Sequence, residues 1–108
     1  MSVIIFLMYK QHNYYIYIMS SKSSDPALYI GVTSNLEGRV WQHKNKVYDG
    51  FSKRYSCHKL VYFEYFKDIN EAIAREKELK GWRRGRKIDL IKTTNPDFKE
   101  LYNKDNFS

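Results

Sequence analysis

Cysteine is almost absent from this chain. Cys57 is the only one among 108 residues, so no disulfide can form within the chain, and a reducing, cytoplasmic location is expected. A lone thiol with no base pattern around it reads as core filler rather than as a nucleophile. The three histidines, His12, His43 and His58, are scattered, which excludes the clustered ligands of a zinc site. Glycine is sparse as well, and Gly31, Gly38 and Gly50 match no phosphate-cradling fingerprint. No serine or cysteine stands in a nucleophile motif. The apolar run at residues 3–8 is far too short to span a bilayer, and it lacks a basic lead and a small-residue cleavage site. No membrane partner is expected. Acidic residues are outnumbered, 12 against 19 basic, for a formal charge of +7. That balance favours polyanionic partners, nucleic acid first.

Tyrosine is what the chain has in plenty, with ten. The length suits one domain with a modest core. We assign it to residues 13–102. Residues 1–12 read as a lead, either disordered or preceding a true start at Met8, and residues 103–108 as a frayed tail. Residues 14–19 alternate, with Tyr15, Tyr17 and Met19 on one face and Tyr14, Ile16 and Ile18 on the other, which predicts a strand. Residues 20–26 are rich in Ser, Lys and Asp and form the turn. Residues 27–32 make a second strand, pairing antiparallel with the first as a hairpin. Ser34 to Glu37 reads as a capping box opening a helix over 35–45. Residues 47–58 are irregular. Residues 60–66, almost wholly apolar and aromatic, read as a central strand packed on both faces. A second capping box at Asp68 opens a helix over 69–80, stopped by Gly81. A further helix is expected over 86–92, and Asn95-Pro96 opens a short one through residue 102.

Several residues invite a chemical reading. Arg39 and His43 lie four apart on one helix and share a face, although a solvated basic face gives the same pattern. Tyr17 and Tyr29 occupy the less aliphatic strand faces, where tyrosine usually packs. Gly31 sits inside a strand, which costs stability and marks a close approach by the next helix or a ligand, or else a strand end. Glu76 is the sharpest observation. The stripe Ile69, Ala72, Ile73 and Leu79 leaves position 76 where an apolar residue belongs, and a core-facing carboxylate is costly unless paired or bound to a metal. A salt bridge to a nearby Arg or Lys is the plainer alternative. One carboxylate suffices for Mg²⁺, which keeps most of its waters and borrows phosphate oxygens.

Together these residues resemble the GIY-YIG nuclease family. Tyr15-Ile16-Tyr17 stands for the first signature triplet and Tyr29-Ile30-Gly31 for the second. Thr33, Leu36, Arg39 and His43 keep the spacing that follows, and Glu76 resembles the family's metal-binding glutamate. The similarity runs from residue 14 to about 101 and looks closest to small stand-alone bacterial members. Two departures stand out: Tyr15 replaces the first signature glycine, and the asparagine that many members carry beyond the glutamate has no counterpart near Ile88.

The expected fold is α+β, a small, mainly antiparallel three-stranded sheet flanked by helices. The resemblance implies divalent-metal-dependent endonuclease activity on nucleic acid, DNA before RNA, with Mg²⁺ or Mn²⁺ as the single ion. It implies that Tyr17 activates the attacking water and that Tyr29 and His43 position that phenol or relay its proton. Arg39 would stabilise phosphoryl charge and Glu76 would hold the ion. Lys53, Arg54, Arg83, Arg84, Arg86 and Lys87 are candidate backbone contacts. The alternative is a non-catalytic nucleic-acid-binding module that retains the nuclease fold.

Overall fold

A computed structural model describes residues 13–45 and 50–103. The expected lead and most of the expected tail therefore lie outside the described residues. Among these, the order is β1 (Tyr14–Ser20), β2 (Leu28–Thr33), α1 (Leu36–Lys44), α2 (Phe51–Arg54), β3 (Lys59–Phe66), α3 (Ile69–Gly81) and α4 (Arg84–Thr94). The fold is α+β, and the three strands form one antiparallel sheet in the order β2-β1-β3.

β1 is thus the central strand, and β3 is an edge, contrary to the reading of its apolar sequence. The first half of β3 is buried at Leu60, Val61 and Tyr62, while Phe63 and Tyr65 are exposed. The free edge is capped at Leu60, whose N–H donates to Glu100 Oε2 at 2.7 Å and whose carbonyl accepts from the Leu101 N–H at 2.8 Å. Such cover blunts an edge that would otherwise pair with another chain. This strap takes the place of the helix expected after Asn95-Pro96. Asn95 is buried, and its amide donates to the Val61 and Lys99 carbonyls while accepting from the Lys99 N–H at 3.0 Å. Those bonds turn the chain outward, because a side chain that satisfies backbone groups competes with the helix ladder.

The two sheet faces carry two cores. Ile16, Ile18, Ile30 and Val61 pack with Ala72 and Leu79 of α3 and Ile91 of α4. Tyr17, Met19 and Leu60 pack with Leu36 and Val40 of α1 and with Cys57. Burial pushes the Cys57 thiol up to about 11, as inert packing requires. α3 is fastened to β3 by Arg75, which donates to both Glu64 carboxylate oxygens at 2.9 Å. Within the stretch read as irregular, Phe51–Arg54 forms one helical turn. Among the described residues no helix is long and apolar enough to cross a membrane.

Candidate active site

β1 and β2 place the site by register. Tyr17 lies directly opposite Gly31. A Cβ at Gly31 would stand 2.5 Å from both Tyr17 Cζ and Oη. Real Cβ atoms do not come that close, so the glycine exists to let the phenol ring of the neighbouring strand lie across it. The nearest atoms to that position all belong to the Tyr17 ring.

α1 brings the next two groups. Its cap is Asn35 rather than Ser34: Asn35 Oδ1 accepts from the Gly38 N–H at 3.0 Å, while Thr33 Oγ1 accepts from the Asn35 N–H at 2.9 Å. The buried stripe of α1 is Leu36, Val40 and His43, so the imidazole takes a core position at helical spacing. There His43 Nε2 and Tyr17 Oη are hydrogen-bonded at 3.0 Å. Tyr29 completes the group, with ring centroids 4.8 Å from His43 and 6.1 Å from Tyr17.

Burial sets the electrostatics. Tyr17 is 1% exposed and His43 2%. Desolvation, with a smaller contribution from Tyr29, holds the Tyr17 phenol well above its usual range, and Arg39 opposes it. Desolvation and the Arg39 charge lower His43 to about 4. The phenol therefore keeps its proton and the imidazole is neutral at physiological pH. Tyr29 is half-buried, unlike the fully buried Tyr17 beside it.

Arg39 lines an open groove of about 250 Å³ with Thr33, Ser34, Asn35, Gly38 and Gln42. Its Nη1 donates to Gln42 Oε1 at 3.2 Å. Sequence reasoning missed Gln42, for which the three-residue spacing from Arg39 was the available signal, whereas Thr33 enters the sequence reading as part of the family spacing. Glu76 comes from α3 on another part of the fold, yet its charge acts on Tyr17. Its side chain is 16% exposed, and its ion pair with the exposed Lys80 is long, 3.6 Å.

The remaining basic candidates lie on other elements. Lys53 and Arg54 belong to α2. Arg84 pairs with Asp25 at 2.9 Å in the β1–β2 turn, and Arg86 stacks on Trp82 with the cation 3.8 Å from the ring centroid. Arg83 and Lys87 flank them on the same chain stretch.

Among the described residues no three His, Cys, Asp or Glu side chains cluster as metal ligands. Glu76 still fits a hard cation. Its carboxylate is mostly buried and only loosely paired, and a hydrated Mg²⁺ or Mn²⁺ needs few protein oxygens. Asn95 is committed to the Val61 and Lys99 backbone.

Residues 13–89 match the GIY-YIG catalytic domain. A UPF0213 protein of Clostridium perfringens is 40% identical over 77 residues, 71% of this chain and 81% of the relative. One from Staphylococcus saprophyticus is 37% identical over 78 residues, covering 72% and 93%. In fold, the chain is similar to the solution structure of a UPF0213 protein from Bacillus halodurans, with TM-score 0.51 and 24% identity over 82% of this chain and 92% of that one. The chain belongs to the GIY-YIG catalytic-domain family, alongside the UPF0213 proteins.

Proposed function

We propose that this protein is a divalent-metal-dependent endonuclease that hydrolyses phosphodiester bonds in nucleic acid, with DNA as the first candidate substrate and the cytoplasm as its location. The observation that carries the proposal is the buried Tyr17–His43 hydrogen bond, joined by Tyr29 and set in the opposing fields of Arg39 and Glu76. A phenol pair backed by a neutral imidazole is a route for removing a proton from water.

Water beside the half-buried Tyr29 gives its proton to the Tyr29 oxygen. Tyr29 passes its own to Tyr17, and Tyr17 passes its own to His43 Nε2. The hydroxide forms the new bond to phosphorus, the bond to the leaving oxygen breaks, and that oxygen takes a proton from solvent while His43 returns its own through the tyrosines. His43, near 4, is a weak acceptor until substrate arrives. The Arg39 charge contributes to that low value, so pairing of Arg39 with the phosphate strengthens the base when it is needed. The Arg39 fork suits phosphoryl oxygens and stabilises the charge that grows on them. Glu76, with substrate oxygens, would hold the ion, which supplies charge stabilisation at the leaving oxygen.

The basic residues of α2 and of the stretch before and within α4 are proposed as phosphate contacts at a distance from the chemistry. A nuclease assay over single-stranded, duplex and branched DNA and RNA, with Mg²⁺, Mn²⁺ or chelator, tests the proposal. Ion-dependent cleavage of one of these supports it. Salt-sensitive binding without cleavage would instead establish the non-catalytic module, a reading favoured by the burial of Tyr17.

A further inference from the structure

The sheet face that holds Tyr17 continues past the site. Register sets Thr33, Tyr15 and Tyr65 in one row across β2, β1 and β3, and Gly31, Tyr17 and Phe63 in the next. Thr33 lines the Arg39 groove. One strand further lies Tyr15, and beyond it an aromatic group. The Tyr15 ring meets Phe63 edge-on at 6.3 Å and Tyr65 at 5.5 Å. Phe63 and Tyr65 are 40% and 48% exposed. Core packing does not account for large apolar rings left at the surface of so basic a chain.

We propose that Tyr15, Phe63 and Tyr65 form a stacking subsite for an unpaired nucleobase adjoining the phosphodiester held at Arg39. The proposal rests on the nuclease reading of the site and adds to it the part of the substrate that must be single-stranded. The occupant follows from continuity. A strand whose phosphate sits in the groove beside Thr33 meets Tyr15 next, and a base stacked in a duplex cannot lay its face on these rings. Aromatic platforms joined to a basic groove are how single strands are gripped without reading sequence. Stacking is worth about 1–3 kcal/mol per base, roughly a five- to 150-fold change in affinity.

The test is fluorescence anisotropy without metal, using labelled oligothymidylate and an abasic strand of equal length. The protein should bind the base-bearing strand roughly five- to 150-fold more tightly. Phe63→Ala with Tyr65→Ala should erase that preference and leave abasic and duplex binding unchanged. Tyr65→Phe, which keeps the ring but loses the 2.8 Å bond to Asn13, should retain it. Should the double variant fail to fold, Phe63→Trp gives a second reading: its fluorescence should be quenched by oligothymidylate and not by the abasic strand. Equal binding of both strands by the parent protein, or an intact preference in the folded double variant, overturns the proposal. So does self-association through this face with nucleic-acid binding unaffected. Cleavage in Mg²⁺ is scored separately. Cleavage without base preference removes the stacking subsite alone, and base preference without cleavage removes the nuclease reading alone.

Discussion

Substitution Gly31→Ala adds one methyl group and should disable the site. The Cβ would stand 2.5 Å from Tyr17 Cζ and Oη and 2.8 Å from Cε1, so the ring must move. Overpacking of this kind costs about 1–3 kcal/mol. Displacing the ring also breaks the 3.0 Å bond to His43 and leaves a buried nitrogen unsatisfied, about 1–3 kcal/mol more. Opposing both is the better intrinsic propensity of alanine, about 0.5–1 kcal/mol. The clash wins, with a net loss of about 1–5 kcal/mol. At about 4 °C per kcal/mol for a domain of this size, the melting temperature should fall by roughly 5–20 °C. Gly85 in α4 is the control, because nothing lies within 4 Å of its Cβ position. Gly85→Ala should be neutral or stabilising by up to about 1 kcal/mol. Thermal and urea unfolding read both, and NMR reports the His43 ring. An alanine at position 31 that leaves stability and the His43 signals unchanged would refute the packing argument.

Arg39→Ala should slow single-turnover cleavage by ~10²–10³ with the fold intact, and Arg39→Lys should recover little, because a point charge lacks the fork; a rate within a few-fold of the parent contradicts the assignment. His43 titrates near 4 when folded against 6.5 in the unfolded chain, so the unfolded state binds more protons between those values. Stability should rise with pH across that window and lose about 3 kcal/mol as pH falls through it. Urea unfolding of the parent and of His43→Gln at both ends measures this contribution, and a His43 that titrates normally in the folded protein removes it. Binding to nucleic acid should be electrostatic: with about four phosphates contacted, affinity falls roughly a hundredfold between 50 and 200 mM salt, and a flat salt profile contradicts the basic surface as the grip.

Local signals in the sequence carried much of this architecture. Period-two alternation located β1 and β2 to within a residue, and the Asp68 cap located α3, since these features depend on near neighbours. Partner choice between strands does not. β3 reads as central because Leu60 to Phe66 are almost wholly apolar and aromatic, and only tertiary pairing shows that β1 lies between the others and that the strap covers Leu60. Asn95-Pro96 is a sound helix opening, overridden by bonds to Val61 that join residues far apart in sequence. The same limit applies at the site. Gly31 was visible as an anomaly, but the object that needs its empty space, the Tyr17 ring, follows from register alone. Glu76 was legible as a carboxylate in an apolar stripe, and the structure gives it a loose, exposed partner in Lys80 rather than a buried one.

That partner makes Glu76→Gln the most direct measurement of the central claim. Removing the carboxylate of a buried ion pair strands its partner and costs about 3–5 kcal/mol. Lys80 is 54% exposed, so nothing is stranded here. Paired thermal unfolding and single-turnover cleavage in Mg²⁺ should give a melting temperature equal to or above that of the parent protein, with cleavage lost. Retained cleavage with a large fall in melting temperature would show that Glu76 serves the fold and that the metal site has been misplaced.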